Sequence, residues 1–552
     1  MREQLVLAVT DTLKKVGVAA DSIALEHPAD LKNGDYSTGV ALKYAKQAGM
    51  KPRDLAEKIV ALLGTIEGVE KIEIAGAGFI NFHLSNSSIA ARIEDARAED
   101  MWGSGESRKG KTMMVEYTDP NPFKEFHIGH LMSNAIGESI ARLLEFSGAK
   151  VLRANYQGDV GPHVAKALFI LLEREITNPS IQDIAAAYTE GSRRYEENPA
   201  AKEAIDALNK KIYEKSDPKV NELYEKGRTL SLEHFEELYK ILGTKFDFYF
   251  FESETAPVGL EIVRAHLDIF EESEGATVFK GEKYDLHTRV FITKLGLPTY
   301  ETKELGLAKM KTEKAQFDTS ITVTAHEQSD YFKVVKKAME LAMPDLSGKI
   351  EHRSHGMMRF AEGKMSSRKG NVITGESLLD DLIEAANIRA AESRAEDKNL
   401  LGRQVAVAGI KYQILRQASG RDIIFDRDRA LSLEGDSGPY LQYAHARTCA
   451  IAEKAKEQNV VATVDAAAAS SDLTRLLHRF PEIVAYAGDE LEPHLLTTYL
   501  LEIAAHFNSW YAQEQILDGT PSAPHKLAIT DAVRKTLKNG LWILGIPAPE
   551  KM

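Results

Sequence analysis

Apolar residues along this chain follow three successive spacings. In the first hundred residues, helical spacing at 3–16 and in RDLAEKIVALL (53–63) precedes VEKIEIAGAGFINFHL (69–84). The alternation in that last segment predicts two strands joined at AGAG. From 112 to about 385, short apolar runs alternate with helical patterns: strands at 112–118, 150–156 and 319–324, helices at 127–147, 160–174 and 330–343. That order predicts a doubly wound parallel sheet. Residues 178–245 read as a helical insertion rich in Glu, Lys, Ala and Tyr, whose charge runs describe a solvated helix face. After about 385 the strands disappear. Leu496, Tyr499, Leu500, Ile503, Phe507, Trp510 and Tyr511 recur at helical spacing behind Pro493. The expected organisation is an α/β fold: a small N-terminal α/β domain (1–100), a linker at MWGSGESRKGK (101–111), a parallel-sheet domain (112–385) and an all-helical domain (386–552).

Composition narrows this modestly. At 552 residues, 43% hydrophobic and 27% charged, the chain has ordinary globular content and calls for several domains. A single cysteine, Cys449, excludes an internal disulfide and a multi-cysteine zinc site, and fits a reducing cytoplasm. The first residues carry acidic groups, unlike a signal or transit peptide, and no apolar run reaches about 18 residues, so no membrane span is expected. A net charge of −13 argues weakly against nucleic acid, since a large acidic protein can still hold local basic patches.

Chemistry concentrates in two segments. FHIGHL (126–131) follows the strand KTMMVEYT (111–118) and the turn DPNP (119–122). His127 and His130 therefore fall on one face at the start of a helix, where free N–H groups and the helix dipole favour phosphate. Gly129 between them lets a flat ring or a phosphate approach the backbone. KMSSRKG (364–370) is cationic, through Lys364, Arg368 and Lys369, and is bounded by Gly363 and Gly370. It has the chemistry to clamp a polyphosphate and close over it. Gly158, Asp159 and Gly161 in NYQGDVG could line a pocket or make a plain turn.

HxGH and Lys-Met-Ser, in this order around an α/β domain, resemble the signatures of class I aminoacyl-tRNA synthetases. VEYTDPNPFKEFHIGHL, NYQGDVG, HGMMRFAEGKMSSRKG (355–370), GPYLQYAHAR (438–447) and LWILGIPAPEKM (541–552) resemble the arginyl-tRNA synthetase family. NGDYSTGVAL (33–42) and GAGFINF (76–82) resemble that family's additional N-terminal tRNA-binding domain.

The resemblance implies a Rossmann-like catalytic domain and a helical anticodon-binding domain. It implies two steps: arginine carboxylate attacks the α-phosphate of ATP to give arginyl-adenylate and pyrophosphate, then the 3′ end of tRNA(Arg) takes the arginyl group. ATP with Mg2+ is the implied cofactor, with no structural metal, and the implied enzyme is a cytoplasmic monomer away from membranes. His127 and His130 would donate to phosphate oxygens as charge redistributes. Lys364, Met365, Ser366, Arg368 and Lys369 would hold the nucleotide with Gly129. Ser367 replaces the family's usual second lysine, and Lys124 matches the compensating lysine before the first motif.

For arginine, the family's positions match Glu116, Asn121, Tyr300, Glu304 and Gln328, with Glu304 where Asp is more usual. Glu116 lies in an apolar strand, where an unpaired carboxylate is costly; a guanidinium or a neighbouring lysine would answer it. A site built on such pairing rejects lysine and citrulline without a separate editing domain. Trp510 and Tyr511 are candidates for stacking on tRNA bases. Three other readings remain: a synthetase for another amino acid, a small-molecule nucleotidyltransferase that also uses HxGH, and a non-catalytic tRNA-binding paralogue.

Overall fold

A computed structural model of the chain describes residues 1–360 and 373–552. Its centre is a five-stranded parallel sheet of β1 (Thr112–Glu116), β2 (Lys150–Gln157), β3 (Phe248–Phe251), β4 (Thr319–Ala325) and β5 (Ile350–His355). Their spatial order is β5-β4-β1-β2-β3. The winding reverses between β1 and β4, and the crevice at their carboxyl ends is where open α/β sheets receive ligands.

Helix α1 (Ile128–Phe146) returns the chain from β1 to β2 and is buried on nearly every side, through Leu131, Met132, Ala135, Ile140 and Leu144 among others. Gly137 permits this. A Cβ there would lie 2.3 Å from the Tyr117 Cβ, so helix and strand approach more closely than any side chain allows.

The expected insertion is three helices, Ile181–Glu197, Pro199–Glu214 and Pro218–Leu242. Proline starts the second and third, and Asn198 and Asp217 cap them by accepting backbone N–H groups. A second insertion is a three-stranded antiparallel sheet, Phe270–Ser273, Ala276–Phe279 and Arg289–Ile292.

In the N-terminal region, strands Val69–Ala75 and Phe79–Leu84 pair antiparallel across the AGAG turn, as the alternation predicts, and Tyr36–Thr38 adds a third. The segment read as a linker is packed. Trp102 is buried, donates through Nε1 to Thr536 Oγ1 at 3.1 Å, and receives Asn539 Nδ2 on its carbonyl at 2.9 Å. The region beyond 385 is helical but for one strand, Ile423–Phe425, parallel to Met358–Phe360. Strands therefore do not vanish entirely there: three residues are too few to show a period. Among the described residues no helix is long and apolar enough to cross a membrane.

Candidate active site

Parallel strands deliver their last residues to one edge, and the candidate site is assembled there. Glu116 ends β1, Gly158 follows β2, Glu252 follows β3, and Gln328 lies three residues past β4. They line one cleft of about 460 Å³ together with Asp119, Asn121, Tyr156, Tyr300, Glu304, Thr322, Thr324, Tyr331 and Phe332. All five residues matched to the arginine positions thus face a single cavity. Gly158 is needed where it stands, because a Cβ would come within 2.2 Å of Asn121 Oδ1.

The turn between β1 and α1 is strained. Thr118, Asp119 and Phe123 have φ of 80°, 47° and 66°, a conformation costing on the order of 1–3 kcal/mol per non-glycine residue. It is held by Ser133 Oγ, which accepts from the Thr118 N–H at 3.0 Å, and by Asn134 Nδ2, which donates to Thr118 Oγ1 at 3.0 Å.

Four carboxylates line the cleft, and two lysines neutralise two of them. Lys311 Nζ lies 2.6 Å from Glu116 Oε2, with both side chains buried. Lys303 Nζ lies 2.5 Å from Glu252 Oε2, also buried. Asp119 and Glu304 have no ion-pair partner among the described residues. Burial, then the charge of Glu116, raises Glu304 to about 8 and holds Asp119 well above the ordinary carboxylate range. Glu252 is raised chiefly by burial as well, with Lys303 pulling the other way.

At the neighbouring helix start, His127 is the N-cap of α1 and its N–H donates to His130 Nδ1 at 3.2 Å. Because Nδ1 of neutral His130 accepts, its hydrogen is on Nε2, the atom free to donate. The two rings stack with centroids 3.4 Å apart. Desolvation, then the neighbouring charges, lowers His130 well below its usual value; desolvation and Lys124 lower His127 to about 4, although that residue is exposed at the surface. Both are neutral donors at pH 7. Lys124 Nζ lies 5.6 Å from the centre of the Tyr188 ring, has no ion-pair partner among the described residues, and is lowered by desolvation.

Lys364, Met365, Ser366, Ser367, Arg368 and Lys369 lie outside the described residues. The chain downstream of them is anchored beside the first motif: the Gly375 N–H donates to Phe126 O at 2.8 Å, and a Cβ at Gly375 would meet His127 O at 2.8 Å.

Asp159 does not line the cleft. It is fully buried and accepts from Tyr224 Oη, Arg228 Nε, and the Ser253 N–H and hydroxyl, tying the insertion to the start of the helix after β3. Gly161 caps the helix Pro162–Glu173. Trp510 packs partly against the C-terminal core, whereas Tyr511 is 40% exposed with the Arg447 guanidinium 4.8 Å from its ring centre.

A family model described as tRNA synthetases class I (R), catalytic domain, matches residues 92–427, more than half of the chain. An Arginyl tRNA synthetase N terminal domain model matches 3–84, and a DALR anticodon binding domain model matches 441–552. The chain belongs to the arginyl-tRNA synthetase family. It is 31% identical over 551 residues to an arginine–tRNA ligase of Clostridium perfringens, covering 96% of each chain. It is 30% identical over 564 residues to one from Limosilactobacillus reuteri, covering 100% of each. Among solved structures, Thermus thermophilus arginyl-tRNA synthetase matches with a TM-score of 0.83 at 26% identity, covering 100% of both chains.

Several residues that line the cleft carry no motif of their own in the sequence. Asp119 falls in the turn 119–122, Tyr156 in the predicted strand 150–156 and Tyr331 in the predicted helix 330–343, while Glu252 falls in no predicted element. One signal was available for Asp119 and Glu252: polar residues just past a parallel strand's carboxyl end are at the ligand-binding edge.

Proposed function

We propose that the protein is an arginine–tRNA ligase whose cleft binds L-arginine next to ATP, forms arginyl-adenylate and passes the arginyl group to tRNA(Arg). The observation that carries this reading is a cleft in which Asp119 and Glu304 have no ion-pair partner among the described residues, Asp119 standing in the turn that leads to the histidine pair at the N-terminus of α1. Glu304 takes the guanidinium fork, Asn121 and Gln328 supply polar contacts, and the Tyr300 ring covers the aliphatic stem. His130 Nε2–H and the start of α1 donate to the α-phosphate oxygens while Lys124 supplies a positive charge. ATP enters as its Mg2+ complex. Lys364 and Lys369, which lie outside the described residues, are assigned to the β- and γ-phosphates. The N-terminal domain and the helical C-terminal domain grip the tRNA, with Tyr511 offered to a base and Trp510 behind it.

ATP–pyrophosphate exchange across the amino acids, with and without tRNA, tests this. Exchange is expected with arginine when tRNA is present, and not with lysine or citrulline, which cannot satisfy the acceptors built for a charged fork. Exchange driven by another amino acid, or none under any condition, overturns the reading. A nucleotidyltransferase acting on a small molecule would exchange without tRNA.

A further inference from the structure

We propose that His234 is a positioning residue for the activation step, holding the helical insertion, through Glu376, against the backbone that presents His127 and His130; the role rests on the activation reading above. The helix Gly375–Ala390 starts on that backbone. The N–H groups of Gly375 and Glu376 donate to Phe126 O at 2.8 and 3.3 Å, and a Cβ at Gly375 would meet His127 O at 2.8 Å. His127 O in turn accepts from the His130 and Leu131 N–H groups at 3.0 and 3.3 Å. The seat of this helix therefore fixes where the free donors of α1 begin.

The Glu376 carboxylate is not needed by its own helix. Thr374 Oγ1 accepts from the Ser377 N–H and Ser377 Oγ from the Thr374 N–H, each at 3.0 Å, and these bonds cap the start. Glu376 Oε2 instead lies 3.0 Å from His234 Nε2 on the insertion helix Pro218–Leu242, and among the described residues it has no other ion-pair partner. The next residue, Phe235, is buried, with its ring centroid 6.3 Å from that of Phe126. Two adjacent side chains of the insertion thus bear on one segment, Phe235 by packing and His234 by charge.

Charged groups approach this pair from three segments. Asp380 shares the helix of Glu376, Glu237 shares the helix of His234, and Lys124 and Glu125 precede α1. The helix Ile181–Glu197 faces the same cavity, of about 240 Å³, with uncharged side chains. The hydrogen bond to Glu376 raises the His234 pKa above its ordinary value against the effect of partial burial. Burial, then the charge of Glu376, raises Glu125 and Asp380. Protonated, His234 gives Glu376 a counter-charge; neutral, it leaves that carboxylate repelled by Glu125 and Asp380. The contact is complete below about pH 6.5 and fades as pH rises through the raised value.

The test measures tRNA-dependent exchange with arginine from about pH 6 to about pH 9 for wild type, His234→Gln, His234→Arg and Glu376→Gln. An ion pair with both partners partly exposed changes an equilibrium a few-fold, so each Gln variant should lower kcat about three- to fivefold at about pH 6.5 and flatten the fall in kcat toward about pH 9. The arginine KM should stay within about twofold, because neither residue lines the cleft that holds Glu304. His234→Arg keeps the charge at every pH, so it should match wild type at about pH 6.5 and exceed it at about pH 9. A kcat within about 1.5-fold of wild type in both Gln variants, or a pH profile that none of the three changes, overturns the proposal. A fall in kcat matched by an equal rise in the arginine KM overturns it as well. Unfolding of both Gln variants, without rescue by His234→Arg, would make the pair structural and overturn it too. Wild type without arginine-dependent exchange would sink the activity itself, and this role with it.

Discussion

Replacing Lys124 by methionine removes one charge and little volume. The aliphatic stem against Tyr188 is kept, and the ammonium 5.6 Å from that ring is lost. In the free protein this ammonium has no carboxylate partner among the described residues, and desolvation lowers its pKa, so the protein holds it ready for an anion. The neighbouring histidines cannot substitute, because His127 is held at about 4 and His130 well below its usual value. They contribute hydrogen-bond donors but no net charge at pH 7. An electrostatic contact made to charge developing in the transition state is worth about 3 kcal/mol, and at about 1.4 kcal/mol per decade this is roughly a hundredfold in rate. Arginine-dependent exchange should therefore lose about two decades in kcat, with the arginine KM changed less than about twofold, because Lys124 does not line the cleft that holds Glu304. Titrating ATP and arginine separately distinguishes the two effects. Exchange within about threefold of wild type, at saturating ATP, refutes the charge argument.

Two further predictions concern the scaffold. Lys411, fully buried, donates to Leu242 O at 2.6 Å and to Gly545 O at 2.9 Å, bolting the insertion and the C-terminal residues to the helix Lys398–Leu415. Lys411→Met strands both carbonyls and should cost about 2–4 kcal/mol, read as a lower denaturation midpoint with an unchanged denaturant slope. Stability should also fall as the solution is acidified below about pH 6.5. Burial lowers His445 to about 4 and His478 to about 3. In the unfolded chain each imidazole takes a proton near pH 6.5, so the stability these residues confer is present above that pH and is lost as pH falls toward 4 and 3. Each is worth a few kcal/mol, and a melting temperature that is flat from pH 7 to 4 would contradict it.

Much of the fold was legible because its core elements are periodic. The strands at 112–118, 150–156 and 319–324 and the helices between them appear within a few residues of their expected bounds. What escaped notice are the edges. β3 is four residues long, and β5 reads Ile-Glu-His-Arg-Ser-His, too polar to stand out as an apolar run. The antiparallel insertion at 270–292 has strands of four residues, too short for a clear period.

The candidate site was legible where the motif resemblance supplied positions: Glu116, Asn121, Tyr300, Glu304 and Gln328 lie up to 212 residues apart in sequence and line one cleft. Lys311 was not legible, since the partner of Glu116 comes from a distant helix and no local pattern announces it.

That unannounced lysine governs the electrostatics of the cleft. Four carboxylates without counter-charge would repel one another and bind protons, leaving a neutral pocket with little preference for a cation. Complete neutralisation by lysines would leave no charge for a ligand either. Two of the four acidic groups are paired with lysines, and burial holds the other two, Glu304 and Asp119, above the ordinary carboxylate range, so a cationic ligand entering the cleft would take the place of a proton. Citrulline, lacking the guanidinium charge, leaves Glu304 buried without a partner, and the site pays for that desolvation with nothing in return. Lysine brings the right charge as a compact, strongly hydrated point, which cannot engage several acceptors in one plane as a guanidinium fork does. On the proposed reading, discrimination would follow from the unmet needs of the protein's own buried groups, and one sieve would suffice for a substrate of this shape.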